Sequence, residues 1–111
     1  MSFFNSELVQ NEIKEIQDMQ QLIYKDSIGY VAMNSEQRLK HIDAMEVLLE
    51  KQRILHTRME LDPDPQAKEM LNKMRMTANA LGIPDGISFN ELFKNMEDII
   101  RGMRLSIQTP S

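Results

Sequence analysis

The chain has 111 residues, ten methionines, no cysteine or tryptophan, and a formal net charge of −4. A chain of this length forms one domain and should bury roughly two-thirds of the surface that it exposes when unfolded. Without cysteine there are no disulfides and no zinc–thiolate sites, and no run approaches the ~18 apolar residues of a membrane span. Since basic residues are not concentrated anywhere, duplex nucleic acid is not an expected partner.

The N-terminal segment lacks the pattern expected of a signal peptide. Its first ten residues contain no basic region and no continuous apolar run, so we expect no signal peptide. The lack of cysteine favours a cytoplasmic location. We expect a single helical domain over residues 1–111, with a lead-in segment at 1–4 and a frayed tail at 108–111.

The first helix is predicted to begin with Asn5 or Ser6 as N-cap and to run to about Tyr24. Ahead of it, Phe3 and Phe4 either pack on the first turns of the helix or anchor a partner or a membrane surface. Residues 25–33 extend this helix or form an ordered connection, and we expect their apolar side chains to be partly buried. The apolar residues of the helix recur at helical spacing: Val9, Ile13, Ile16, Met19 and Ile23.

Residues 34–61 predict one long helix, with Asn34 as cap and Gln37 placed to complete a capping box. A surface helix needs one apolar face, but this one has two lines, so we expect contacts from two sides and a central position. The first line is Ile42, Met45, Leu49 and Met59; the second is Val47, Ile54 and Leu61; Ala44, Leu48 and Leu55 lie between and behind them.

Two more helices are predicted after the central one. Asp64 caps the third, Pro65 opens it, and Gly82 is a left-handed stop. A Ser88–Glu91 capping box starts the fourth. Their apolar residues are Ala67, Met70, Leu71, Met74, Ala78 and Leu81, then Leu92, Phe93, Met96, Ile99, Ile100 and Met103. The sequence therefore predicts an all-α protein, either a four-helix bundle or two packed helical hairpins.

No motif with specific chemistry is present in the sequence. The Asp62–Asp64 stretch lacks the later ligands and the glycine of a calcium loop. A di-iron type site takes Glu-x-x-His, whereas arginines precede the two histidines, His41 and His56, by three residues. These histidines lie ~22 Å apart along one helix, so they cannot share a metal. We expect no catalytic, cofactor-binding or metal-binding residues and no enzyme activity.

Three further side chains are candidates for partner binding. Gln52 and His56 fall on the first apolar line, either as hydrogen-bonded residues at a helix contact or as a polar pair that fixes partner or register. Met76 lies off the apolar face of the third helix, where methionine forms adaptable surfaces but is also common singly.

The N-terminal half resembles a known family. The residues that carry the resemblance are Phe3-Phe4-x-Ser6-Glu7-x-Val9-Gln10-x-Glu12, then Met45-Glu46, Arg53-Ile54, Arg58 and Glu60-Leu61. Over residues 3–61 the chain is similar to a small cyanobacterial family known as domain of unknown function eighteen-twenty-five. The resemblance implies a soluble helical protein from a cyanobacterium or a related phage. It supplies no activity, and no functional residues can be transferred from it.

The sequence favours a noncatalytic protein-interaction module, a small helical adaptor or regulator that binds a protein partner or self-associates. The alternative is a helical bundle that binds a small ligand or pigment in a pocket lined by Met45, Met59, Met70 and Met96. An enzyme with a spatially assembled site requires His41 or His56 in a cleft beside a perturbed carboxylate.

Overall fold

The computed structural model describes residues 6–80 and 82–108, with Gln108 described by its backbone alone. It contains four α-helices and one turn of 3-10 helix at Tyr30–Ala32. The predicted all-α fold with helices packed on one another is confirmed. The α-helices are α1 (Glu7–Ile28), α2 (Ser35–Leu61), α3 (Pro65–Ala80) and α4 (Phe89–Gln108).

The predicted starts of α1 and α2 are confirmed by their side-chain caps. The Ser6 hydroxyl accepts a hydrogen bond from the Val9 amide at 3.3 Å. The Asn34 side chain accepts from the Gln37 amide at 2.8 Å, and the Gln37 side chain accepts from the Asn34 amide at 3.0 Å. Amides that the first turn leaves without intrahelical partners are thereby satisfied.

The turn between α3 and α4 has the predicted left-handed stop. Gly82 has a φ of +92°, a conformation that L side chains rarely adopt. The Ile83 amide reaches back to the Ala78 carbonyl at 3.0 Å, which is the long hydrogen bond of a Schellman ending. Beyond the turn, the Ser88 hydroxyl accepts from the Glu91 amide at 3.1 Å and starts α4.

The end of α1 follows one of the two predicted alternatives for residues 25–33. The helix extends past Tyr24 to Ile28 and stops at Gly29. Burial of the apolar residues in this segment was expected, and that is wrong for Ile28 and Val31, which are 75% and 87% exposed. Ile28 lies about 100° round the helix from the buried Val9, at about 100° per residue, so it points away from α2.

Helix α2 occupies the centre, as predicted, because α1, α3 and α4 all pack against it. Its two ends belong to different core clusters. The first joins α1, α2 and α3 and contains Val9, Ile16, Leu55, Met59 and Ala67. The second joins α2 and α4 and contains Ile42, Leu49, Phe93 and Ile100.

The prediction that the second apolar line of α2 is covered by other helices is wrong. The prediction that α2 is contacted from two sides is confirmed. Val47, Ile54 and Leu61 are 48%, 42% and 80% exposed. The second side of α2 instead includes the half-buried Leu48 and the buried Leu55, which face the first cluster. Helices α1 and α4 approach on either side of Val47 and Ile54, and no described segment bridges the space between them.

This difference can be tested with two isoleucines on the same helix. Ile42 is fully buried and Ile54 is 42% exposed. We expect Ile42→Ala to lower the free energy of unfolding by about 2–5 kcal/mol, since it removes buried methyl groups and leaves a cavity. Ile54→Ala should cost less than about 1 kcal/mol in dilute protein. Urea unfolding measures both, and equal losses would contradict this assignment of the core.

Candidate functional site

An open and largely apolar groove lies between α3 and α4. Its volume is about 460 Å³, and α2 forms its floor through Gln52. The turn after α3 closes one end with Ile83. The walls come from α3 (Lys73, Met74, Thr77 and Ala78) and from α4 (Phe89, Leu92, Phe93 and Met96).

The groove offers few polar groups. Lys73 is its single charged lining residue, and the Thr77 hydroxyl already donates to the Lys73 carbonyl at 3.0 Å. The side-chain amide of the half-buried Gln52 has no hydrogen-bond partner among the described residues. An occupant would therefore meet one amide at the floor and one cation at the rim, within an otherwise apolar surface.

His56 supports the α4 wall of the groove from below. The residue is 3% exposed, and its ring centroid lies 4.4 Å from that of Phe89 and 5.8 Å from that of Phe93. Its Nδ1 lies 2.7 Å from a carboxylate oxygen of Glu60, which fixes the imidazole. The guanidinium of Arg75 lies over the same Phe89 ring at 4.4 Å, so α2 and α3 both hold this aromatic side chain.

The surroundings of His56 oppose its protonation. Burial lowers its pKa below the ordinary value of 6.5, and repulsion from Arg75 adds to this, whereas attraction to Glu60 works against it. The imidazole at the base of the groove wall is therefore stabilised in its neutral form.

The structure places the predicted site residues in different settings. Gln52 and His56 meet at the groove, one in its floor and one beneath its wall. Met76 is 68% exposed on α3 and does not line the groove. Phe3 and Phe4 lie outside the described residues, as does Leu81.

The methionine pocket predicted as an alternative does not form. Met59 and Met70 belong to the α1–α3 side of α2, and Met45 packs with α4. Only Met96 of the four lines the groove. Met45 and Met59 lie about 21 Å apart along α2, so the four side chains do not line one pocket.

The sequence analysis placed Leu92, Phe93 and Met96 among the apolar residues of the fourth helix and did not predict their part in a groove. The available signal was the width of the apolar arc on α4. Phe93 and Ile100 face α2, whereas Met96 and Ile99 lie further round the helix and are 37% and 63% exposed. An arc wider than one helix contact leaves apolar surface for a second contact.

The described residues contain neither a cluster of metal ligands nor a membrane-spanning helix. Among the described residues, no group of three histidine, aspartate or glutamate side chains is placed to hold a metal ion. His41 is buried at the other end of α2, with its ring centroid 5.6 Å from that of Tyr30. No helix in the described ranges is long and apolar enough to cross a membrane.

The lowered pKa of His56 predicts a pH-dependent stability. As pH falls from about 7.5 to about 5.5, the imidazole of His56 is protonated in the unfolded chain before it is protonated in the folded chain. The free energy of unfolding therefore decreases. The loss is about 1.4 kcal/mol for each unit that separates the two pKa values. His56→Gln should reduce this decrease, measured by urea unfolding at each pH. Parallel pH profiles for the variant and the original chain would contradict the prediction.

The comparisons with known proteins support a family assignment. A family model described as "Domain of unknown function (DUF1825)" matches residues 1–107. Comparison with curated proteins and with solved structures gave no match. Because the family model covers nearly the whole chain, this helical protein belongs to the DUF1825 family.

Proposed function

We propose that the chain is a noncatalytic protein-interaction module, a small helical adaptor or regulator, whose groove holds an apolar helical segment of a partner protein. The observation that carries the proposal is the open groove of about 460 Å³ with seven apolar lining residues: Met74, Ala78, Ile83, Phe89, Leu92, Phe93 and Met96. Amphipathic helices bind in such grooves through apolar side chains one turn apart.

The rim of the groove favours a partner segment that carries an acidic residue beside its apolar face. Lys73 is the charged lining residue, and the guanidinium group of Arg75 lies over the Phe89 ring of the α4 wall. The Lys73–Glu69 pair is 3.7 Å long and well exposed, so it holds the ammonium group weakly. Met74 and Met96 line opposite walls, and their unbranched side chains adapt to an occupant.

No reactive arrangement is found among the described residues that line the groove, which supports a noncatalytic role. His56 is the described imidazole nearest to it, but this side chain is buried beneath Phe89 and bonded to Glu60. A general acid or base must reach its substrate directly or through one water molecule. His56 is instead placed to hold the wall.

Source and location belong to the same proposal. The resemblance of residues 3–61 to a cyanobacterial family supports a cyanobacterial or cyanophage source. A cytoplasmic location is supported by the cysteine-free composition.

A second candidate function is binding of a small apolar ligand in the same groove. The observation that favours it is the Gln52 amide, which is half-buried in the floor and offers one donor and one acceptor group. The volume falls within the ~300–1,000 Å³ that is usual for ligand pockets.

Photo-crosslinking in the native cell tests the partner proposal. A benzoylphenylalanine at position 96 should give one defined protein adduct, whereas the same group at position 76 on the outer face of α3 should not. Lys73→Glu should reduce the adduct at position 96 several-fold because it reverses the charge at the rim. Lys68→Glu on the same helix is the matched control and should leave the adduct intact. No adduct at position 96, or the same adducts from both positions, would overturn the proposal.

Native mass spectrometry tests the second candidate. Protein isolated from its source should carry a bound small molecule, and Gln52→Leu should remove it because the polar contact at the floor is lost. The same chain carrying Met76→Leu provides the control, since that residue lies outside the groove. A mass equal to that of the bare chain would exclude a stable small ligand.

A further inference from the structure

The exposed line on α2 forms a second surface, distinct from the groove. Val47, Ile54 and Leu61 are spaced by seven residues, or about two helical turns each. Ile54 is turned about 140° from Met59, which faces α3. The line therefore lies on the side of α2 away from α3, where no described segment covers it.

Ion pairs border this line on the α1 side. Arg58 lies 3.1 Å from Glu12, and Lys51 lies 3.1 Å from Glu15. Ile54 and the buried Ile16 lie in the shallow cavity between these pairs.

A second set of ion pairs borders the line on the α4 side. Arg104 lies 2.6 Å from Asp43 and 3.0 Å from Glu46, and Arg53 lies 3.7 Å from Glu97. An apolar line between two rows of mixed charge has the usual composition of a protein contact, with an apolar centre and a polar rim.

We propose that this surface of α2, with Ile54 at its centre, is a contact between two copies of the chain. In a two-fold contact each copy presents the same line to the other, so the apolar side chains cover one another. Both rows contain carboxylates and cations, so each copy offers the other opposite charges at the rim. Carboxylates outnumber cations in these rows, which disfavours an anionic membrane surface or nucleic acid as the occupant.

The shape of the molecule is suited to this contact. Its extents are 52 × 32 × 20 Å, and its radius of gyration is 15.9 Å, against about 13 Å for a compact chain of this length. The molecule is thus a thin plate, and its broad side can supply the ~800 Å² per partner that a stable dimer contact buries. Pairing along α2 would cover apolar surface that a single copy leaves in water.

Size-exclusion chromatography with light scattering tests the dimer. The original chain should elute at twice the chain mass at micromolar concentration and dissociate on dilution. Ile54→Glu should shift it to the monomer mass at all concentrations. Leu61→Glu, at a site 80% exposed, gives the same test at a position where folding is not at risk. Circular dichroism confirms that each variant remains helical.

The controls separate this contact from the groove. Met76→Glu adds the same charge on the outer face of α3 and should leave the dimer intact, as should Met96→Glu in the groove. A monomer for the original chain, or dimers that persist in both Ile54→Glu and Leu61→Glu, would overturn the proposal. Loss of the dimer in Met96→Glu would place the contact at the groove and also overturn it.

Discussion

The packing of three helices against α2 is the constraint on which the rest of the structure depends. Helix α2 has 27 residues, and its two ends contribute to separate clusters, one shared with α1 and α3 and one shared with α4. Ile42 and Leu49 face α4, whereas Leu55 and Met59 face α1 and α3. Because one rigid helix carries both clusters, the positions of α3 and α4 relative to each other are set through α2, and the groove lies where they diverge.

Local signals in the sequence were sufficient to predict the helices. The Asn34–Gln37 capping box, the Ser6 cap and the left-handed Gly82 depend on residues within one turn of each other, and all three are confirmed. Each is a short-range hydrogen-bonding arrangement that tertiary packing does not change. The helix boundaries were least certain where such signals are weak, as at Ile28.

The pattern of apolar residues did not determine which of them are covered. Val47 and Ile54 are as apolar as Ile42 and Leu49 and repeat at helical spacing, yet they lie in the gap between α1 and α4. Periodicity describes one helix, whereas burial depends on where the neighbouring helices lie. For the same reason the groove was not predicted, since Met74 and Met96 come from helices whose relative positions are set by the contacts that each makes with α2.

The turn between α3 and α4 has a consequence for how an occupant would enter. Gly82 holds its left-handed geometry through the backbone, and a Cβ added there would meet nothing within 4 Å. The Ile83 amide bonds to the Ala78 carbonyl, so main-chain hydrogen bonds shape the turn that closes this end of the groove. A turn ordered in this way is preorganised, so an occupant would not have to order it on entry, which spares the entropy that an induced cavity would cost.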